Sequence, residues 1–391
     1  MIVSILVFLL ILSILILVHE FGHLLAARRV GVRVEEFALG LPFTKRLWGR
    51  KIRGVNISLY PILFGGFVRL TGEDDPQAAL KDPQNFQNKT PGARLLIAVS
   101  GVAMNILLAI LVFTLVLSMK GWKEELLAFR QFSFVGATVQ AREEVFIVDV
   151  LPDSPALHAG IKPGERVMQV EEMEIQTVGD LQTKIASRVG QTTTMRLRGE
   201  RNVERTVQLI PKEDPETKQG IMGVRIGPLR YYVLDYGGFP RNVMSGVFHS
   251  VNVIGYQGAV LGLLISRSFE TGDPRVVKDV VVGPVGIGFF VHTLIETGGS
   301  KIVLDLLGLV ALMSLTLGVV NLFPIPALDG GRAAFIVVEL LTGKRNPRIE
   351  AAIHGVGMAL LFGLIILITA NDISRFVPLE DIGQTVRNFF P

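Results

Sequence analysis

A chain of 391 residues that is 49% hydrophobic and only 19% charged, with a mean hydropathy of +0.47, is too apolar for an ordinary soluble protein and points to the bilayer. Having no cysteine, it has no thiol catalysis, disulfide scaffold or cysteine-held zinc or iron–sulfur centre, so any metal must sit on His, Asp or Glu. A formal charge of +4 is small, and in a membrane chain excess Lys and Arg marks cytoplasmic loops; no nucleic-acid partner is expected.

A spanning helix needs about 20 apolar residues, and four windows supply them: 1–27, 95–119, 302–328 and 351–371. The first does not read as a cleaved signal peptide, because it lacks a basic start, runs long and is followed by Arg28 and Arg29 rather than by small residues. Lys and Arg number 12 from Arg28 to Arg94 and 4 from Arg332 to Arg348. Placing both stretches on the cytoplasmic side leaves both termini, and the long segment between the second and third spans, outside. A fifth uncharged window, Val243–Ser266, carries His249, Asn252, Gln257 and four glycines. A fifth crossing would move Arg332–Arg348 outside, so this window is read as an amphipathic helix at the outer membrane surface, within an extracytoplasmic linker of residues 235–300.

In the cytoplasmic segment 28–94, Val55–Tyr60 and Gly66–Leu70 flank Pro61–Gly65 and read as a β-hairpin with an exposed edge. A helical substrate cannot present its peptide bonds, but one drawn into an extended form could be held along such an edge by main-chain hydrogen bonds. Residues 145–226 form a soluble module: alternating strand signals begin at Val145 and return at Arg166–Val170, Thr193–Arg198 and Val203–Ile210, with helical stretches near His158 and over Gly179–Arg188. Pro211–Gln219 is a polar loop.

The sharpest chemical signal lies inside the first span, at His19-Glu20-Phe21-Gly22-His23. Positions i and i+4 share a helix face, so two imidazoles there can bind one zinc while the neighbouring glutamate takes a proton from attacking water. Three ionisable groups within a span are costly and mark a functional site. A third ligand is available in Asn321-Leu-Phe-Pro-Ile-Pro-Ala-Leu-Asp329-Gly-Gly-Arg332, where Pro324 and Pro326 stop the helix and Gly330-Gly331 permits a tight turn. Asp329 would alternatively cap the helix that starts near Gly331. Only the four-span arrangement brings Asp329 to the side of the membrane that holds His19 and His23. His158, His249, His292 and His354 read as surface helix residues.

With these motifs in place, the sequence resembles the site-2 proteases, intramembrane zinc metalloproteases, and among them the bacterial RseP/RasP type. The resemblance is carried by His19–His23, by Asn321–Gly331, by Gly65-Gly66-Phe67-Val68 and by Gly283-Pro284-Val285-Gly286, which together span most of the chain. It implies a polytopic α-helical membrane protein of four transmembrane helices with a membrane-associated β-hairpin and an inserted extracytoplasmic α+β PDZ domain. It implies Zn2+ held by His19, His23 and Asp329, with Glu20 as catalytic base. Asn321 would hold the substrate backbone or the oxyanion, and the hairpin residues Gly65, Gly66 and Phe67 would receive the substrate. The implied partners are single-span transmembrane substrates of the anti-sigma-factor or remnant-signal-peptide kind, the lipid bilayer, and a peptide ligand of the PDZ domain. The implied location is a bacterial inner (cytoplasmic) membrane. The rival readings are a catalytically inactive zinc-binding scaffold that recruits clients through the PDZ domain, and a zinc transporter. The sequence departs from the family at Ser100-Gly101-Val102, where a proline usually precedes the Asn at position 105, and at Glu165, where the PDZ pattern has Asp. Gly220–Val224 is the segment expected to form a carboxylate nest.

Overall fold

A computed structural model describes residues 2–63, 65–73, 82–199, 203–278 and 280–376. Phe64, in the expected hairpin turn, and the end of the C-terminal tail, placed outside by the charge count, lie beyond the described residues. In chain order the elements are α1 (Ile2–Arg29), β1 (Val34–Leu39), β2 (Trp48–Ile52), β3 (Val55–Leu59), β4 (Gly66–Leu70), α2 (Pro91–Met119), β5 (Lys123–Leu127) and β6 (Thr138–Val150). There follow α3 (Pro155–His158), β7 (Arg166–Val170), β8 (Met173–Glu174), α4 (Val178–Ala186), β9 (Thr193–Arg198), β10 (Glu204–Leu209), β11 (Lys212–Glu213), β12 (Gly220–Ile221) and β13 (Val224–Asp235). The chain closes with α5 (Ser245–Thr271), α6 (Arg275–Lys278), α7 (Pro284–Thr297), α8 (Ile302–Leu322), α9 (Asp329–Thr342) and α10 (Pro347–Phe376). Contacts divide it into two compact units: Met1–Val116 with Val253–Glu296 and Ser300–Pro391, and Leu117–Asn252 with Thr297–Gly299.

The first unit is built on apolar helices. Among the described residues five helices are long and apolar enough to cross a membrane: α1, α2, α5, α8 with the turn before it, and α10. Four were expected to cross. The additional one, α5, has the lowest hydropathy of the five at 1.3, against 2.3 to 3.1 for the others. Helix contacts use small residues, as close packing in lipid requires: a Cβ on Gly22 would strike the Ser100 carbonyl of α2, and one on Gly318 of α8 would lie 3.0 Å from Ile106. The span expected over 302–328 ends as a helix at Leu322. Phe323 is extended, with ψ of 144°, because the following Pro324 disfavours helical backbone before it.

Gly283-Pro-Val-Gly286 opens α7, and its amides are satisfied from another helix. The buried Asp372 carboxylate of α10 accepts from Gly283 N–H at 3.0 Å and from Gly286 N–H at 2.8 Å, capping the positive end of α7.

The expected hairpin is instead part of a four-stranded sheet in the order β2-β3-β1-β4. β3 and β4 do not pair with each other; β1 lies between them, parallel to β3 and antiparallel to β4. The burial alternation of β1, with Val34, Glu36 and Ala38 inward, makes it the central strand, and buried Glu36 is satisfied by Tyr60 at 3.1 Å and Arg69 at 3.2 Å. Val34, Val55 and Leu70 pack with Leu24, Ala27 and Ile97, joining the sheet to the end of α1 and the start of α2.

In the second unit the strands run β10-β9-β7-β6-β13-β5, with β8 beside β7. The core of the expected module is present, with Val145, Ile147, Val167, Leu181, Met195 and Leu197 buried together. The sheet extends past the expected limits of 145–226, however. β6 begins at Thr138, β13 runs to Asp235, and β5 adds a further strand. Glu165, just before β7, is buried, bidentate to Arg205 at 2.7 and 2.8 Å and accepting from Lys162 N–H at 2.9 Å. Burial works against its charge, but Arg205 and the Lys162 amide outweigh it and hold the carboxyl below its ordinary range.

A second small core gathers Leu117, Leu234 and Tyr236. Burial pushes the Tyr236 hydroxyl up to about 12, and that group donates to His249 Nδ1 at 3.1 Å while accepting from Asn252 at 3.0 Å. His249 is therefore a buried hydrogen-bonded residue and not the surface histidine expected.

Candidate metal centre

The i, i+4 spacing on α1 brings His19 Nε2 and His23 Nε2 to 3.3 Å from each other. Asp329 Oδ2 joins them at 2.9 Å from His19 and 3.3 Å from His23. The aspartate does not cap its own helix: α9 starts at Asp329, the cap position is Leu328, and no side chain bonds the free amides there. Its position follows from the chain break before it. Pro324 and Pro326 prevent α8 from continuing, Ala327 turns through a φ of +80°, and Gly330 and Gly331 lie so close to the carbonyls of Leu322, Phe323 and Ile325 that no side chain would fit.

These three residues fit a zinc ion. Zinc bonds of about 2.0–2.1 Å at tetrahedral angles set donor atoms about 3.3 Å apart, close to the separations found. Asp329 Oδ2 is buried and has no hydrogen-bond partner despite its proximity to two ring nitrogens. Three converging lone pairs are costly in a buried site, and a divalent cation satisfies all three.

The outward ring nitrogens are also engaged. His23 Nδ1 donates to the Ile97 carbonyl at 2.8 Å, which leaves its Nε2 as an acceptor. His19 Nδ1 stands 3.2 Å from the side-chain amide of Asn105, which is wholly buried. The approach of α2 that makes these contacts depends on Gly101, where a Cβ would strike His23 Nε2 and lie 2.8 Å from His19.

A cavity of about 700 Å³ opens on the centre, lined by His19, Glu20, His23 and Asp329 on one side and by β4 on the other. β4 pairs only with β1 among the described strands, so its second edge is unpaired. Gly66 brings this strand against α1: its Cβ would lie 3.4 Å from Glu20 Cγ and 2.9 Å from the Ala38 carbonyl. Gly66 and Phe67 line the cavity. Gly65 instead abuts Leu41, and Asn321, partly buried in the last turn of α8, is not among the lining residues.

His354 and Arg332 are among the lining residues that were not singled out from the sequence as functional. His354 of α10 was expected at the surface, but its Nδ1 accepts from Ala327 N–H at 2.9 Å, two residues before Asp329, and Phe335 packs beside its ring. Arg332 pairs with Glu73, which also lines the cavity. Their signal is tertiary: neither belongs to a motif that names its partner.

Comparison with known proteins places these features in one family. The profile described as Peptidase family M50 matches residues 7–364. A Clostridium perfringens protein named as a candidate zinc metalloprotease is 30% identical, covering 92% of this chain and 96% of its own. The zinc metalloprotease RasP of Oceanobacillus iheyensis is 26% identical, covering 95% and 99%, and that of Geobacillus kaustophilus 25% identical, covering 95% and 98%. Among solved structures, the PDZ domain of the SdrC-like protein from Listeria innocua covers 21% of this chain at 15% identity with a TM-score of 0.20.

Proposed function

The chain belongs to peptidase family M50 and is a zinc metalloprotease, and we propose that it hydrolyses peptide bonds within or near the transmembrane segment of single-span membrane proteins. The observation that supports this most is the buried, unpartnered Asp329 Oδ2 beside His19 and His23, the two histidines standing on a helix apolar enough to span a bilayer. In this reading His19, His23 and Asp329 hold the zinc. When bound, the metal supplies a Lewis acid that polarises the scissile carbonyl and acidifies water.

The chain's own residues do the rest. Glu20 accepts the proton of the attacking water and returns it to the departing amine nitrogen. The free edge of β4 holds the substrate in extended form by main-chain hydrogen bonds, with Gly66 and Phe67 facing the cavity and Gly65 at the entry to the strand. Asn321 takes the role the family resemblance gives it, donating its amide to the substrate backbone or the developing oxyanion. The substrates are membrane-tethered anti-sigma factors or remnant signal peptides, in a bacterial cytoplasmic membrane. Both termini and the module around 145–226 are outside, α5 lies at the outer surface, and the module acts as a PDZ-type filter on access.

The test is incubation of purified enzyme in detergent with a tagged single-span protein, followed by mass mapping of the fragments. Untreated enzyme is expected to release a fragment cut inside the span, and Glu20→Gln or chelated enzyme none. Stoichiometric zinc with no cleavage of any single-span protein would favour the inactive scaffold.

A further inference from the structure

The sheet that carries β4 to the metal centre has a second edge. β2 pairs only with β3, and every residue from Pro42 to Gly54 is exposed. The register sets Trp48 opposite Leu59, Arg50 opposite Ile57 and Ile52 opposite Val55, so these side chains share one face. On β3 that face is core, with Val55 only 4% exposed and packed with Leu24 and Ala27. On β2 the same face continues uncovered, with Trp48 51% and Ile52 46% exposed; Phe43 and Leu47, just before the strand, are exposed too.

Cations are interleaved with these apolar groups. Lys45, Arg46, Arg50, Lys51 and Arg53 are all exposed, and none has an ion-pair partner among the described residues. No Asp or Glu occurs anywhere from 37 to 72. Arg69 of the same sheet, by contrast, is paired with Glu36. An unpaired edge strand with exposed apolar side chains is open to other partners, and the occupant that fits this one must accept apolar and cationic groups interleaved along the chain. A protein partner needs a dry centre with charges at its rim, and this surface has no such division. An anionic headgroup layer does match it: the indole and aliphatic groups enter at headgroup depth, the long stems lie alongside, and the charges reach phosphate.

We propose that β2 and the turn before it dock on anionic phospholipid headgroups of the membrane that holds the helices. Lipid then occupies one edge of the sheet while β4 stays free at the other. The proposal rests on the membrane reading of the helices and not on proteolysis, so it stands or falls separately from the catalytic assignment.

The chain has two tryptophans, Trp48 and Trp122, so Trp122→Phe makes Trp48 the sole indole emitter of the full-length protein. The protein is placed in nanodiscs of phosphatidylcholine alone or mixed with phosphatidylglycerol. With phosphatidylglycerol, Trp48 emission should shift to the blue and become quenched by brominated lipid, and high salt should reverse both changes. The combined variant Lys45→Gln, Arg46→Gln, Arg50→Gln, Lys51→Gln and Arg53→Gln should lose the difference between the two bilayers. Should Trp122→Phe fail to fold, the difference between native protein and Trp48→Phe gives the same reading. Equal quenching by aqueous iodide in both bilayers would overturn the proposal and leave the face to an acidic soluble partner. Equal quenching by brominated lipid in both would overturn the selection of anionic headgroups.

Discussion

Asn105 of α2 holds its side-chain amide 3.2 Å from His19 Nδ1, joining residues 86 apart in the sequence, and its Oδ1 is buried without a partner. A half-turn of that amide gives the His19 Nδ1–H an acceptor and leaves Nε2 its lone pair for a metal, as ligating histidines usually require. The Asn105 carbonyl in turn accepts from Ser314 of α8 at 2.8 Å, which fixes the residue between helices. Asn105→Leu should weaken zinc binding by about 10–100-fold in chelator competition, and Asn105→Asp, which keeps an acceptor, should recover most of it. Unchanged affinity in Asn105→Leu would remove this orienting role.

Gly101 makes the approach of α2 to α1 feasible. Gly101→Ala should exclude metal from the centre, because the new methyl group would occupy the space beside both imidazoles. The expected outcome is a folded protein with little bound zinc by elemental analysis, whereas Gly92→Ala, where a Cβ meets nothing, should bind normally.

His354 ties α10 to the irregular segment before Asp329. Replacing it by Phe would leave the Ala327 N–H unpaired at a cost of about 1–3 kcal/mol, spent on the backbone that aims Asp329. We expect His354→Phe to lower thermal stability and to raise the zinc off-rate together. A loss of stability with an unaltered off-rate would confine His354 to a packing role.

Glu165 should govern the acid stability of the second unit. Its carboxyl is depressed in the folded state, so it contributes stability that is present above its ordinary value of 4.5 and drains away as the pH falls through the folded value. Glu165→Gln should cost about 1–3 kcal/mol at neutral pH and flatten the loss of stability below pH 4.5, measured by denaturant unfolding at a series of pH values.

The legible parts of this protein are those whose logic is local. Helical spacing alone pairs His19 with His23, and the prolines and glycines around Asp329 announce irregular backbone at the end of an apolar helix. His354 gave no such sign, and Asn105 entered only through the family pattern without a role, because what defines them is a partner 27 or 86 residues away. The hairpin expected at Val55–Leu70 failed for the same reason. β1 inserts between its two strands, a parallel pairing that periodicity cannot reveal. The first half of β6 was silent because Thr138–Arg142 is exposed on both faces, so Val139 and Ala141 mark no core face there. His249 looked like a surface residue because the Tyr236 hydroxyl that satisfies it comes from outside its helix.

The central claim is that one zinc sits on His19, His23 and Asp329 and that Glu20 performs the proton transfers. Bound zinc and cleavage of a single-span protein, measured in the same preparations of wild type, Glu20→Gln and Asp329→Ala, test it most directly. The account predicts one zinc with cleavage, one zinc without cleavage, and neither zinc nor cleavage, respectively. Cleavage by Glu20→Gln, or full zinc occupancy in Asp329→Ala, would contradict it.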